Sequence, residues 1–255
     1  MNTPNITPAA CSNVTTGIDV LWEDHDILVC LKPHGYLSEG TQDISQELPA
    51  ALLAQQHLSV LYPVHRLDRP IAGVMVYAKT RPAAAALCAQ LQNEKRDTWK
   101  KEYLAVICGI PQSCCGELSD HLYRDPNTAK AYVTTHQRRA AKIARLSYQI
   151  LETVNDTALS FPLTLVKVHL YTGRFHQIRV QFASRGMPIA GDGKYGSRYK
   201  CRAPALFAYQ LSFLHPITEK KLTFCSPPPL YDPWTRFDCL QDQTNPHAQT
   251  GSFTS

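Results

Sequence analysis

The stretch Pro63–Thr80 reads "PVHRLDRPIAGVMVYAKT" and places Asp68 between Arg66 and Arg69. Pro70 follows as a turn residue, and the chain then enters a run of residues that favour a strand. A carboxylate in this position has two interpretations. It is a turn residue neutralised by its neighbours, the more common case for an aspartate taken alone, or it is a group kept charged for chemistry. The rest of the sequence must decide between them.

The length allows one large globular domain or two small ones, and the composition has a mild basic bias. The chain has 255 residues, of which 44% are hydrophobic, and its formal net charge is +5. This hydrophobic content allows a sizeable core. The charge fits a nucleic-acid partner but does not require one. The positions of the basic residues are therefore more informative than their sum.

The cellular location and the absence of a metal site are predicted from sequence patterns that the chain lacks. No apolar run approaches the roughly 18–20 residues of a membrane-spanning helix, and the N-terminus lacks the basic and apolar regions of a signal peptide. The 9 cysteines are scattered and form no C-x-x-C motif. We therefore expect a cytoplasmic protein with reduced cysteines, no membrane partner and no metal site.

Organisation along the chain predicts one domain, residues 14–240, between two disordered tails, residues 1–13 and 241–255. Alternating segments such as "FPLTLVKVHLY" predict strands, and helical segments are few. The fold class expected is α+β with a mixed, mainly antiparallel sheet. Because the βαβ alternation of a dinucleotide-binding fold is missing, "GDGKYG" at Gly191–Gly196 is interpreted as a glycine-rich turn.

Two segments are important for the later argument. "TGRFHQIRVQFASRG" is predicted to be a helix with Thr172 as its N-cap and Gly186 just after its end. Its buried face would consist of Phe175, Ile178 and Phe182. Residues 112–145 are predicted to be loop-rich and basic.

Several segments far apart in sequence carry polar residues of the kind that act on nucleic acids. These residues are Arg66, Asp68, Tyr103, Arg174, His176 and Arg179. Each has a more common structural role when it is considered alone, as a turn carboxylate, a strand aromatic or a solvated arginine. The combination carries more weight than any member.

The motifs together resemble those of one enzyme family. "HRLDRPIAGVMVYAKT" is similar to the H-R-L-D-x-x-(T/S)-(S)-G-hydrophobic-A-K signature of RluA-type RNA pseudouridine synthases. Four more blocks are similar to the family's motifs and occur in the family's order: "EDHDILVCLKPHGYLS", "KKEYLAVICG", "TGRFHQIRVQFASRGMPIAGDGKYG" and "LFAYQLSFLHPIT". The resemblance covers roughly residues 18–230.

This resemblance implies an enzyme that converts uridine to pseudouridine in structured RNA, either tRNA or rRNA, without a cofactor. It implies the family's fold, a bifurcated mixed sheet flanked by helices. Asp68 stands where the essential carboxylate stands, and Arg179 stands where an arginine pairs with it and lowers its pKa. Tyr103 stands where a tyrosine packs against the target base and is a candidate base. We expect the protein to act as a monomer.

Basic residues near these motifs are predicted to contact the RNA. Arg66 matches the family position that helps to displace the target nucleotide and fills its gap. The predicted RNA-binding residues are Arg66, Arg69, Lys100, Lys101, Arg174 and His176. Two basic runs, "NEKRDTWKKEY" and "HQRRAAKIAR", suit an RNA path, although a solvated face is the alternative.

Departures from the family pattern keep two other functions open. Ala72 replaces the usual serine, Phe207 replaces a histidine, and Gln181 and Phe182 also differ from the usual residues. A binding module that grips RNA but has lost turnover is one alternative. An unrelated hydrolase that uses Asp68 is the other, although no second carboxylate stands in a matching block.

Overall fold

The computed structural model describes residues 17–40, 46–93, 98–134 and 140–241. The predicted N-terminal tail lies outside these ranges, and so does the predicted C-terminal tail except for Gln241. Parts of the two basic runs lie outside them as well. Disorder of the tails therefore stays a prediction.

The described chain folds into strands and a small number of short helices. The strands are β1 Val20–Glu23, β2 Ile27–Lys32, β3 Tyr62–Pro63, β4 Ala72–Ala78, β5 Lys100–Cys108, β6 Cys115–Asp125, β7 Lys130–Thr134, β8 Lys142–Val154, β9 Leu163–Leu170, β10 Leu206–Leu214 and β11 Lys221–Cys225. The helices are α1 Leu48–Gln55, α2 Arg81–Gln92, α3 Gln177–Ala183 and α4 Asp238–Gln241. None of these helices is long and apolar enough to cross a bilayer.

These strands form one branched sheet. Its main path runs β1-β2-β4-β10-β5-β9-β8-β6-β7, while β11 pairs with β10 and β3 pairs with β4 as side branches. The contact between β4 and β10 is parallel, and the remaining pairs of these named strands are antiparallel. The prediction of an α+β fold with a mixed, mainly antiparallel and bifurcated sheet is therefore confirmed.

Strand β4 lies in the middle of the core, and all of its residues are buried. Met75 and Tyr77 face the main core, which contains buried leucines of α1. Val74 and Val76 face a second core on the other side of the sheet, under α2. This two-sided burial explains the nearly continuous apolar run after Asp68, because a strand buried on both faces shows no alternation.

The parallel contact between β4 and β10 requires a glycine. Gly73 has φ +135°, and a Cβ atom added there would lie 2.4 Å from the carbonyl oxygen of Ala208. One residue earlier, Ala72 is in register with Phe207. Two departures from the family pattern are thus neighbours, and both side chains are buried in the main core.

The prediction that residues 112–145 are loop-rich is wrong, since β6, β7 and the start of β8 occupy most of this segment. Leu122, Ala131 and Ala144 form a small buried cluster with Val180 of α3. Most other side chains of β6 and β7 are exposed or half-buried. Because few positions are buried at this end of the sheet, polar and charged residues interrupt the alternation of apolar side chains that would predict a strand.

Candidate active site

The segment that supplies three of the predicted site residues is only partly helical. Helix α3 begins at Gln177 rather than near Thr172, because His176 has a left-handed backbone with φ 54°. The Thr172 hydroxyl accepts a hydrogen bond from the Arg145 amide and donates one to Gln177 Oε1, both at 2.8 Å. Thr172 therefore closes a loop before the helix and is not its N-cap. This loop carries Arg174 and His176, whereas Arg179 lies in the first turn of α3.

A cleft of about 730 Å³ opens beside the loop that carries Asp68. Most of the predicted site residues line it, namely Arg66, Asp68, Lys101, Tyr103, Arg174, His176 and Arg179. Arg69 and Lys100 do not line it. The volume is in the range of small-ligand sites, so the cleft can hold one flipped nucleotide.

Asp68 and Arg179 meet at the bottom of this cleft, although they are 111 residues apart in sequence. Arg179 Nη1 donates a hydrogen bond to Asp68 Oδ2 at 3.1 Å. Arg179 also donates from Nε and Nη2 to the two carboxylate oxygens of Asp192, at 2.6 and 2.9 Å. The Asp192 and Arg179 side chains are 1% and 4% exposed, whereas that of Asp68 is 23% exposed. Of these two carboxylates, only that of Asp68 is exposed enough to contact a ligand in the cleft.

The pKa of Asp68 is raised, which differs from the prediction. Burial raises this pKa, while the charges of Arg179, Lys32 and Arg66 oppose the shift. The effect of burial outweighs these positive charges. Asp68 is therefore a carboxylate that partial burial has made more basic and more nucleophilic than one in water.

Lys32 holds the backbone of the Asp68 loop. Its fully buried ammonium donates to the carbonyl oxygens of Pro33, Asp68, Arg69 and Ile71, at 2.7 to 3.3 Å. Burial lowers the pKa of Lys32 to about 7, although the charge of Asp68 raises it. A hydrogen-bonded lysine under the loop fixes the carboxylate relative to the sheet.

His176 lies next to Asp68 rather than on an exposed surface. Its Nε2 is 3.6 Å from Asp68 Oδ2, and its Nδ1 is 2.8 Å from the Tyr195 hydroxyl. Because the Tyr195 oxygen accepts from the Ala131 amide, its own proton is free for Nδ1. In the tautomer with the proton on Nε2, this hydroxyl donates to Nδ1 and the Nε2–H faces Asp68. Burial and the charge of Arg179 lower the pKa of His176 to about 3, so the ring is neutral.

Tyr103 comes from β5 and lies across the cleft from the Asp68 loop. Its side chain is buried, and both burial and the negative charge of Asp68 raise the pKa of its phenol. The phenol therefore stays protonated at neutral pH. This disfavours Tyr103 as a base but suits an aromatic surface on which a uracil can stack.

The remaining predicted RNA-binding residues have different surroundings. Arg66 is exposed at the cleft and lies 3.4 Å from the carboxylate of Glu39. Arg69 donates to the carbonyl of Gly35 and to Gln46, so its guanidinium stabilises a loop outside the cleft. Lys100 is the first residue of β5 and faces away from the cleft by strand alternation. RNA contacts of Arg69 and Lys100 stay predictions.

One group of potential metal ligands occurs among the described residues, outside the cleft: Asp24, Asp26 and His215. The atoms that could bind a metal ion already make hydrogen bonds within the protein. His215 Nδ1 accepts from the Ile217 and Thr218 amides, so Nε2 carries the proton that faces Asp24. The group therefore fits a hydrogen-bonded turn better than a metal site.

Comparison with known proteins identifies the family. The profile of a family described as RNA pseudouridylate synthase matches residues 26–184. The chain belongs to this family. An RNA pseudouridine synthase of Aquifex aeolicus, named as uncharacterized, is 33% identical over 227 residues, which are 81% of this chain and 68% of that protein. Ribosomal large subunit pseudouridine synthase D of Pasteurella multocida is 32% identical over 232 residues, again 68% of its length and 83% of this chain.

Solved structures agree on the fold. Human RNA pseudouridylate synthase domain containing 1 superposes with a TM-score of 0.70 over 89% of this chain and 88% of that one, at 21% identity. The resemblance stated from the motifs is thus confirmed at the level of family and fold. RNA pseudouridine synthases are isomerases, so the unrelated-hydrolase alternative is excluded.

Sequence reasoning missed three residues of the site: Lys32, Asp192 and Tyr195. All three lie in motifs that had been quoted for the family resemblance. Asp192 and Tyr195 belong to the glycine-rich turn "GDGKYG", and Lys32 precedes a proline at the end of β2. The glycine-rich turn marked a position of special backbone conformation, but the residue types did not show that Asp192 pairs with Arg179.

Proposed function

We propose that this protein converts uridine to pseudouridine in structured RNA, with Asp68 as the catalytic carboxylate. The observation that carries the proposal is the hydrogen-bonded series Asp192–Arg179–Asp68. It ends with a partly exposed carboxylate in a nucleotide-sized cleft. Membership of the family supports the reaction type. No step needs a cofactor, because the product is an isomer of the substrate.

The reaction is written with Asp68 as nucleophile. A carboxylate oxygen of Asp68 attacks C1′, and the C1′–N1 bond breaks with its electron pair on the uracil. The uracil rotates while stacked on Tyr103, and C5 then attacks C1′ and displaces the carboxylate. The freed Asp68 carboxylate takes the proton from C5 and exchanges it with solvent, and N1 takes up a proton from solvent, which completes the isomerisation. Arg179 and the Nε2–H of His176 stabilise the charge of Asp68 when it leaves.

Arg66 is proposed to occupy the place of the flipped nucleotide in the RNA stack. It is exposed at the mouth of the cleft, and its contact with Glu39 is a weak surface ion pair. An arginine held so loosely can move into the RNA at little cost.

The substrate is proposed to be ribosomal or transfer RNA. Ribosomal RNA comes first, because a relative 32% identical to this chain is named for the ribosomal large subunit. We also propose that the protein is a monomer and acts in the cytoplasm. The eight cysteines in the described part of the chain are unpaired, as expected in a reducing compartment.

Tritium release from RNA labelled at C5 of uridine tests the reaction, with total RNA from cells that lack the gene as substrate. Wild-type protein should release tritium, and Asp68→Asn should release none above background while binding RNA within a few-fold of wild type. Asp156→Asn, a surface carboxylate paired with Arg236, is the matched control. A wild-type protein that binds RNA but releases no tritium would establish the binding-module alternative instead.

A further inference from the structure

Strand β5 presents two polar side chains to the cleft, Lys101 and Tyr103. They are two residues apart and so lie on one face of the strand, with about 7 Å between their positions. The intervening Glu102 faces the other side, where it pairs with Lys167 at 2.6 Å. The carboxylate nearest in sequence is therefore turned away from Lys101.

The groups around Lys101 supply no negative charge. Gly173 lies against its ammonium, since a Cβ atom on Gly173 would be 3.1 Å from Lys101 Nζ. The next residue, Arg174, adds a second positive charge. From the opposite wall comes His65, which is buried and neutral because burial lowers its pKa to about 3. On β10, Leu211 lies opposite Lys101. Within residues 17–40, 46–93, 98–134 and 140–241, no carboxylate pairs with Lys101.

A half-buried ammonium beside a guanidinium is electrostatically unfavourable without a counter-charge. Burial and the charge of Arg174 accordingly lower the pKa of Lys101 to about 8. The cleft is open here because position 173 has no side chain. An anion that enters from solvent can thus reach Lys101 and Arg174, which line the same cleft as Tyr103.

We propose that Lys101 and Arg174 form a phosphate-binding subsite for the nucleotide next to the target uridine, and that filling it is coupled to proton uptake by Lys101. This inference rests on the proposed action on RNA. It makes Lys101 different from a surface lysine, which is charged at any physiological pH and binds phosphate without changing its protonation.

The direction in which RNA affinity changes with pH follows from the protonation state of Lys101 in the RNA-free protein. Below pH 8 Lys101 already carries its proton, so RNA affinity is constant. Above pH 8 the free protein loses this proton, whereas a bound phosphate raises the pKa of Lys101 and retains it. Affinity should therefore fall as the pH rises from 8, by up to about tenfold per pH unit.

The test measures binding of fluorescein-labelled octauridylate by anisotropy between pH 7 and 9.5 at fixed ionic strength. For wild type the Kd should rise about tenfold or more across this range. Lys101→Arg should lose much less affinity than wild type between pH 7 and 9.5, because arginine stays charged. Lys101→Met should bind weakly at every pH. Lys221→Arg, at an exposed lysine outside the cleft, should keep the wild-type profile. Ionisation of the RNA itself affects all variants equally.

A Lys101→Arg profile as steep as that of wild type would overturn the proposal. A second measurement avoids variants altogether: in wild-type protein with 13C-methylated lysines, one NMR resonance should titrate near pH 8 and move to higher pKa on addition of octauridylate. A lysine resonance that titrates near 8 but does not respond to octauridylate would also overturn it. Neither measurement requires turnover, so failure of the proposed isomerisation would be seen separately in tritium release.

Discussion

Asp192 accepts hydrogen bonds from two nitrogens of Arg179, at 2.6 and 2.9 Å. Asp68 accepts a single one, at 3.1 Å. The orientation of the guanidinium is therefore set mainly by Asp192, a residue that is itself almost completely buried. Asp192 thus sets the direction from which Arg179 approaches Asp68, the proposed catalytic carboxylate, and Asp192 itself does not line the cleft.

Asp192→Asn should lower the single-turnover rate about 100-fold, the scale expected when a catalytic group is misplaced by about 1 Å. RNA affinity should stay within a few-fold of wild type. Removing a negative charge from the group also lowers the pKa of Asp68, so the acid limb of the pH–rate profile should move to lower pH. Asp156→Asn is the control. An unchanged acid limb with a normal rate would show that Asp192 does not position Arg179.

Arg179→Ala should abolish most turnover and move the acid limb in the opposite direction, to higher pH. The reason is that Asp68 loses the positive charge that opposes the effect of burial on its pKa. Circular dichroism must first show that the variant is folded, since breaking a buried ion pair costs several kcal/mol.

The salt dependence of RNA binding distinguishes residues that contact phosphates from Arg179, which pairs with Asp68. Arg179→Ala should leave the slope of log affinity against log salt unchanged, whereas Lys100→Ala should reduce it by about 0.7–0.9 if Lys100 binds a phosphate. A shallower slope for Arg179→Ala with a normal saturated rate would show that Arg179 is a phosphate contact and not the partner of Asp68.

Tyr103→Phe should retain measurable turnover, because its phenol is protonated at neutral pH and the aromatic ring is kept. Tyr103→Ala should lose the stacking surface and with it about 1–3 kcal/mol of base binding. Single-turnover tritium release at saturating protein compares the two. A phenylalanine variant as inactive as Asp68→Asn would restore the general-base role that the family resemblance implied.

Gly73→Ala should destabilise the fold by roughly 3 kcal/mol or more, because the new Cβ atom would meet the Ala208 backbone and the positive φ is unfavourable for alanine. Gly186→Ala is the matched control. Its φ is also positive, at +76°, but no atom lies within 4 Å of the added Cβ. Urea unfolding should show a loss of only about 1–2 kcal/mol there. Equal losses at both positions would mean that strain alone, and not the close approach, requires glycine at 73.

Much of the fold could be predicted from local pattern. The second half of β9 alternates between buried and half-buried residues, and α2 shows its start through Thr80 and Pro82. Strands β6 and β7 were missed, since their few buried residues contact a single short helix. The length of α3 was overestimated because the left-handed turn at His176 has no signature in the residue types.

The site was predictable only through the family motifs. No spacing rule connects Asp68 to Arg179 across 111 residues, and their proximity depends on the sheet order. Asp192 escaped notice because glycines dominated the interpretation of its turn. The direction of the Asp68 pKa shift could not be foreseen either, since it depends on how deeply the fold buries this carboxylate.

Residue Ala208 of β10 is in register with Gly73 on one side and with Tyr103 on the other. The strand that follows Asp68 and the strand that carries Tyr103 are therefore separated by one intervening strand, at two hydrogen-bonded spacings of about 4.8 Å each. The width of the opening is a property of the main chain, and side-chain changes such as those at Ala72 and Phe207 cannot alter it. Substitutions in the walls of the cleft would therefore change its fit to the proposed RNA substrate while leaving the spacing of these two strands unchanged.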